Sequence, residues 1–291
     1  MGMHCRGIIY PGTIFNSAAV SDSEDDGIIF DFDSNYDDEV ATLTSTFLHI
    51  FQSTIDFGLI QNLKIDVSIS IIEHSGPDSA CVEALATSIL YAAKARPGSV
   101  DIIVLATREI LASVGSLTVH DYPGGPLSFE YLLRYFLADC LKDALYGPRM
   151  PGPEHTEITP TNPTLVAALF SASAIHKRLL RNVASPYRFL RQGLQLSGPV
   201  NQKREVVLAL GACLQLSVAG KWMMQDWLEQ SDGREDGQEA MLKALNKLKD
   251  NHVIRAPAGI ELLNKTIEIV QGKCTLALSP AAAWDLLFVL D

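Results

Sequence analysis

The chain has 291 residues, of which 47% are apolar and 20% charged, and its formal net charge at pH 7 is -11. The apolar fraction is enough to fill a large core, so the composition excludes an intrinsically disordered chain. The negative net charge disfavours indiscriminate binding to nucleic acid, which only a local basic surface would reverse.

Targeting and redox features are equally restrictive. No apolar run reaches the length of about 18 residues that a membrane span needs, and the apolar stretch near the N-terminus is too short for a signal peptide. The five cysteines are scattered singly, with no C-x-x-C pair, which is typical of reduced thiols. We therefore expect a cytoplasmic or nuclear protein without a membrane partner.

The first half of the chain predicts alternating strands and helices. β-Branched and aromatic residues favour strands over 27–33 and 100–106, and strict apolar–polar alternation favours one over 64–72. Apolar residues at helical spacing predict helices over 40–57, over 80–94 with Asp78 or Ser79 as its cap, and over 128–146. Residues 1–146 are therefore interpreted as an α/β domain with an acidic N-terminal segment.

Prolines and glycines then interrupt the pattern. Residues 147–163 contain five prolines and two glycines, which predicts a linker between domains. Residues 164–199 follow as a basic helical segment, with helices expected over 164–181 and, after Pro186, over 187–194. The linker thus separates the α/β domain from a mainly helical C-terminal half.

Residues 200–291 form the last predicted domain. Helical stretches at 203–216, 221–230 and 238–250 precede two strand-like runs at 265–270 and 273–278. Three short helices followed by a hairpin resemble a winged-helix domain, and the phrase AMLKALNKLKDNHVI resembles that family's third helix leading into the wing. The predicted fold class is therefore α+β, an N-terminal α/β domain followed by a mainly helical half with a winged-helix-like end.

Charge is unevenly distributed along the chain. Nine acidic residues lie between Asp22 and Glu39, whereas residues 158–204 contain no Asp or Glu. That stretch has seven basic residues: Lys177, Arg178, Arg181, Arg188, Arg191, Lys203 and Arg204. Its natural counterparts are an acidic protein, the acidic segment of this chain within one molecule or a second copy, or nucleic acid.

Further cations lie on the predicted third helix of the winged-helix-like domain. Lys243 and Lys247 are four residues apart and share a face, with Lys249 and Arg255 nearby. In winged-helix proteins that read DNA this helix enters the major groove, where such cations meet phosphates. Tyr187 and Phe189, interleaved with the arginines, are candidate stacking partners for bases. Residues 205–291 hold 12 acids and 8 bases, however, which favours protein docking.

One motif points to catalysis. The segment IIFDFDSN, residues 28–35, resembles the nucleophile loop of haloacid-dehalogenase-like phosphatases. The resemblance implies Asp31 as nucleophile and Asp33 as general acid, both helping to hold Mg²⁺, and Thr107 as the end of a phosphate-binding strand. Ser34 and Asn35 replace the family's Gly-Thr, and no later strand supplies the second Asp pair.

Two other resemblances concern the same half. Alternating oxygen donors from Asp31 to Asp37 resemble a calcium loop, but Tyr36 and Thr42 stand where that loop needs Gly and Glu. We therefore expect no metal and no other cofactor. The strand and helix order over 28–145 resembles the ribonuclease-PH-like subunits of exosome rings, which implies an inert structural subunit.

These observations rank the functions. We expect a non-catalytic adaptor or structural subunit of a multi-protein assembly, which docks through the basic helical segment and the winged-helix-like domain. The first alternative is a nucleic-acid-binding protein that uses the same surface. The second is a Mg²⁺-dependent phosphatase.

Overall fold

The computed structural model describes residues 34–56, 68–73, 76–147, 153–180, 183–195, 203–220, 223, 237–273 and 277–288. The predicted strand at 27–33 and most of the acidic segment, with Asp31 and Asp33, lie outside the described residues. Arg181 also lies outside them, as does nearly all of the predicted helix 221–230.

The described chain is built from helices. Their bounds are α1 Ser34–Asp56, α2 Ser79–Ala95, α3 Val100–Val114, α4 Phe129–Tyr146, α5 Pro153–Thr156, α6 Pro163–His176, α7 Ala184–Leu194, α8 Lys203–Ala219, α9 Gly237–Asp250, α10 Pro257–Val270 and α11 Pro280–Phe288. A 3₁₀ turn, Pro97–Ser99, joins α2 to α3, and residues 68–73 are also helical. Strands β1 Thr118–Val119 and β2 Leu127–Ser128 pair antiparallel and form the only sheet in the described ranges.

The predicted α+β fold class is therefore wrong, and α3 shows why. Residues 100–106 were expected to be a strand, but they form the first half of a helix that continues to Val114. Six of its seven buried residues follow helical spacing over its whole length: Val100, Ile103, Val104, Thr107, Ile110 and Val114. A run of seven apolar residues is compatible with a buried strand or a buried helix, and only the longer window carries the 3.6-residue period.

Two further strand predictions fail for related reasons. Of the predicted strand 64–72, residues 68–72 are helical, with Ser68 and Ile72 buried one turn apart. Residues 265–270, the first strand of the expected wing, belong to α10, which buries Leu262, Thr266 and Val270. The ribonuclease-PH-like topology and the winged-helix hairpin both lose strands that they require. Residues 274–276 of the second wing strand lie outside the described range.

Most helix predictions that fall on described residues are confirmed, although the helix expected over 164–181 ends at His176. Helices α1, α2 and α4 cover the segments expected at 40–57, 80–94 and 128–146, and α7, α8 and α9 lie where the C-terminal pattern predicted them. The Asp78 side chain caps α2 by accepting a hydrogen bond from the Cys81 backbone N–H at 2.7 Å. Asp121 adds a second acceptor at this helix start, because both of its carboxylate oxygens lie 3.0 Å from the Ser79 backbone nitrogen.

Helix α6 lies at the centre of the fold. Every residue from Pro163 to Ile175 is buried, and α6 contacts α2, α3, α4, α5, α7, α8 and α11. The hydrophobic core extends without interruption from Phe47 in α1 to Leu287 in α11. Among the described residues, no helix is long and apolar enough to cross a bilayer.

Helices α7 and α8 approach each other closely at two glycines. A Cβ at Gly193 would lie 2.5 Å from the Leu208 carbonyl oxygen and 2.8 Å from the Ala212 Cβ. A Cβ at Gly211 would lie 2.7 Å from the Phe189 ring. Both distances are below van der Waals contact, so the approach depends on glycine at these positions.

We expect Gly193→Ala to lower the free energy of unfolding by about 1–3 kcal/mol. The added methyl group would clash with the Leu208 backbone carbonyl, and the clash is relieved only if α7 or α8 moves. Gly98→Ala is the matched control, since nothing lies within 4 Å of its added Cβ. Urea unfolding followed by circular dichroism measures both. Equal stabilities for the two variants would contradict the close approach.

Candidate functional site

The basic residues expected to form one surface are divided between the two ends of α6. At its C-terminal end, Lys177 Nζ lies 3.9 Å from an Asp101 carboxylate oxygen, and exposed Arg178 has a left-handed backbone with φ 60°. At its N-terminal end, Lys203 Nζ lies 3.9 Å from Glu157, and Arg204 donates a hydrogen bond of 2.6 Å to the Tyr146 carbonyl oxygen. Fourteen helical residues separate these ends by about 20 Å, so Lys177 and Arg178 are not continuous with Lys203 and Arg204.

A smaller basic surface lies on α7 and α9, which contact each other. Arg188 on α7 is exposed, and Arg191, three residues on, is partly buried. Lys243 and Lys247 are exposed on the face of α9 opposite its buried Met241, Leu245 and Leu248. Exposed Lys249 lies on another side of α9, and exposed Arg255 lies between α9 and α10. We call Arg188, Arg191, Lys243 and Lys247 the α7–α9 basic surface.

Aromatic stacking is not available at this surface. Tyr187 and Phe189 alternate with the arginines in sequence, but their side chains are only 3% and 0% exposed. Both pack into the core, where the Phe189 ring meets the Tyr146 ring edge-on at a centroid distance of 6.4 Å. They cannot offer a ring face to an unstacked base.

Sequence analysis missed a cavity of about 460 Å³ between α2, α4, α5 and α6. Its walls are mainly apolar, with Leu90, Ala144, Pro163, Val166 and Ala167 among the lining residues. The polar lining groups are Thr87, Tyr91, Lys94, Cys140, Asp143, Glu154 and His155. Its size and composition match those of small-molecule sites, which typically enclose about 300–1,000 Å³.

His155 is the most constrained polar group of this cavity. Its side chain is 3% exposed, and its Nδ1 lies 3.3 Å from Thr164 Oγ1. The Thr164 hydroxyl donates its single proton to the Ala144 carbonyl oxygen at 3.2 Å, so it can only accept from His155. Nδ1 therefore carries the proton of the neutral imidazole, and Nε2 keeps a lone pair.

Nε2 of His155 has no hydrogen-bond partner among the described residues. Glu154 Oε1 is the nearest carboxylate oxygen at 3.8 Å, which is too long for a hydrogen bond, and the Glu154 side chain is 64% exposed. Burial lowers the pKa of His155; Glu154 opposes this shift, and Lys94 and Arg204 add to it. Burial therefore favours the neutral ring, and Nε2 is an acceptor that is itself buried.

Two neighbours hold this ring in place. Gly147 ends α4 with φ 65° and ψ -179°, a conformation that is open essentially only to glycine. A Cβ there would lie 3.0 Å from His155 Nδ1, so the imidazole packs against a bare backbone. On the other side, Asn162 caps α6 by accepting from the Thr164 and Leu165 backbone N–H groups, which fixes the position of the Thr164 hydroxyl.

The residues expected to perform phosphoryl chemistry do not form a site in the described chain. Thr107, interpreted as the end of a phosphate-binding strand, is buried inside α3 and donates to the Ile103 carbonyl oxygen at 2.8 Å. Asp37, the last donor of the calcium-like run, lies in the first turn of α1. Within the described ranges, no three His, Cys, Asp or Glu side chains are grouped as a metal site.

Searches of protein families, of curated proteins and of solved structures gave no match to this chain.

Little in the sequence signals the cavity. His155 lies in the proline-rich stretch interpreted as a linker, and Lys94 ends an ordinary amphipathic helix. The available clue was the pairing of GPEHT with an Asn-Pro helix start at Asn162, which predicts a capped helix immediately after a compact loop. Gly147, His155 and Thr164 come together only in the folded structure, and no local sequence pattern indicates this contact.

We expect Gly147→Ala to destabilise the fold by about 1–3 kcal/mol through backbone strain and also to displace the His155 ring. Gly272→Ala is the matched control, because it has a similar φ of +71° but nothing within 4 Å of the added Cβ. Thermal unfolding measures the strain, and the ring-proton chemical shifts of His155 measure the displacement. Unchanged His155 shifts in Gly147→Ala would contradict the packing described above.

Proposed function

We propose that this chain is a non-catalytic adaptor that docks an acidic segment of a protein partner on the α7–α9 basic surface. The observation that carries the proposal is the exposure of Arg188, Lys243 and Lys247 on two contacting helices. Within the described residues none of these three side chains forms an ion pair, whereas Lys177, Lys203 and Arg134 each face a carboxylate. Exposed cations on two contacting helices attract an anionic partner.

Protein is favoured over nucleic acid for two reasons. The aromatic residues that would stack on bases are buried. Lys177 and Arg178 lie at the opposite end of α6 from Lys203 and Arg204, so these four cations do not form a continuous track for a nucleic-acid backbone. Glu239 and Asp250 are also exposed on α9, and they would repel a phosphate chain lying along the helix. A few cations bordered by acids suit a short acidic peptide better.

A cytoplasmic or nuclear location is part of this proposal. Cys81 and Cys213 are buried and form no disulfide, and thiols outside disulfides are typical of proteins in reducing compartments. The partner segment is then an intracellular acidic peptide, of which the acidic segment of a second copy of this chain is one example.

We expect the protein to bind a fluorescein-labelled oligoglutamate peptide with an affinity that falls as salt is added, because screening weakens exposed ion pairs. Lys243→Glu combined with Lys247→Glu should weaken binding about ten-fold or more at low salt. Fluorescence anisotropy measures the affinity.

Arg108→Glu combined with Lys142→Glu is the matched control. Both cations are exposed, they lie on α3 and α4 rather than on α7 or α9, and the change in net charge is the same. Equal losses for the two double variants would reduce the effect to net charge and overturn the proposal. Tighter binding to labelled duplex DNA, lost in the Lys243/Lys247 variant, would replace it with the nucleic-acid alternative.

A further inference from the structure

The cavity between α2, α4, α5 and α6 has no part in the docking proposal, yet three helices give it an apolar interior. Leu90 from α2, Ala144 from α4, and Pro163, Val166 and Ala167 from α6 form its apolar walls. A concave apolar space of this kind with a few polar groups on its lining is the usual form of a small-molecule site. The charged groups of the lining then indicate which head group an apolar occupant carries.

Three charged residues line the cavity: Lys94, Asp143 and Glu154. One cation and two carboxylates leave an excess of one negative charge. Lys94 and Glu154 both act on the pKa of His155, in opposite senses, so they lie at the His155 end of the cavity and offset each other there. Asp143 is the charge that remains.

Helix position explains Lys94 but not Asp143. Lys94 lies in the last turn of α2, where the helix dipole favours a cation. Asp143 lies in the last turn of α4, which ends at Tyr146, and there the dipole disfavours a carboxylate. The fold of α4 alone therefore gives no reason for an acid at this position.

The surroundings of Asp143 add to this cost. Asp139 lies four residues earlier on α4, and like charges at this spacing repel each other. Partial burial and the Asp139 carboxylate raise the pKa of Asp143, and Lys142 opposes this shift. Within the described ranges, the Asp143 carboxylate forms no ion pair. A cation beside Asp143 would offset both the repulsion and the lost solvation.

An occupant of the cavity can reach this carboxylate. Asp143 is an exposed residue that also belongs to the lining, so it lies at the mouth of the cavity. Ala144 follows it on the wall, and Val166 and Ala167 are almost completely buried. A molecule with an apolar body and a cationic head therefore fits with its body inside and its head at the mouth.

We propose that this cavity binds a small apolar amine, whose ammonium group pairs with Asp143 and whose apolar body lies against Leu90, Val166 and Ala167. Asp139 supports the selection of a cation, because it adds negative charge beside Asp143 without lining the cavity itself.

The test compares three probes that share one apolar body, 4-phenylbutylamine, 4-phenylbutanol and 4-phenylbutyrate, by isothermal titration calorimetry on the full chain at pH 7.5 and low salt. The amine is protonated at this pH, since its pKa resembles that of lysine, near 10.4. We expect the amine to bind about five-fold more tightly than the alcohol, the value of a partly exposed charge pair, and the carboxylate to bind least tightly. Added salt should reduce the preference for the amine.

Three variants locate the effect. Asp143→Asn should abolish the preference for the amine and leave the affinity for 4-phenylbutanol unchanged. Asp250→Asn is the matched control, because Asp250 is an exposed acid in the last turn of α9 and its loss changes the net charge equally; this variant should keep the preference. Leu90→Trp enlarges a half-buried wall residue and should weaken the binding of all three probes. Circular dichroism verifies that each variant is folded.

Several outcomes overturn the proposal. Equal affinities for the amine and the alcohol, or a preference that survives in Asp143→Asn, would show that Asp143 does not recognise the ammonium group. Tighter binding of 4-phenylbutyrate would mean that Lys94 selects an anion. Failure of all three probes to bind, or binding that Leu90→Trp leaves unchanged, would show that the cavity is not the site. None of these results bears on the α7–α9 basic surface, so this inference and the docking proposal are tested separately.

Discussion

The structure depends on one constraint, the burial of α6 from Pro163 to Ile175. A helix with no solvent-facing side must satisfy each of its polar side chains within the protein, because an unpaired buried group costs about 1–3 kcal/mol. The solutions join α6 to its neighbours: Ser173 donates to Asp101 on α3 at 2.7 Å, Ser171 accepts from Gln215 on α8 at 3.0 Å, and Thr164 donates to the Ala144 carbonyl of α4. Each bond fixes the rotation of α6 against one partner helix, which apolar packing alone does not do.

The same constraint shapes the cavity. Since the Thr164 proton is committed to α4, the hydroxyl oxygen can only accept, and His155 must keep its proton on Nδ1. The Thr164–Ala144 hydrogen bond, which orients α6, thus also makes His155 Nε2, on the other side of the imidazole ring, a hydrogen-bond acceptor. The cap of α6 adds to this, because the Asn162 amide donates to the Glu157 carbonyl at 2.7 Å and so holds the His155 segment against the helix start. Stability and the character of the cavity come from one set of contacts.

Sequence reasoning located most helices but misjudged the fold class, and both results have physical causes. Amphipathic helices such as α4 and α9 can be recognised from the sequence, because one face is polar. Buried apolar runs such as residues 100–106 cannot be assigned in this way, since a strand and a helix buried on all sides have the same composition. Residues 265–270 alternate locally, yet Leu262, Thr266 and Val270 are buried at four-residue spacing along the whole of α10. The candidate site was the least predictable part: Gly147, His155 and Thr164 meet only because α4 and α6 pack together.

Burial also explains the feature of the sequence that most suggested a function. Residues 158–204 lack carboxylates largely because α6 and the inner face of α7 are buried and cannot hold any charge. The basic residues then fall where the chain returns to solvent, at the C-terminal end of α6, on the outer face of α7 and at the start of α8. The helix dipole favours cations at helix C-termini. This effect explains the presence of Lys177 at the end of α6, and no bound ligand is needed to explain it. The absence of acids along a chain is therefore weak evidence for an anion-binding track. Lys247 also lies in the last turn of its helix, whereas Arg188 and Lys243 lie outside the last turn of theirs, so the dipole does not account for these two cations.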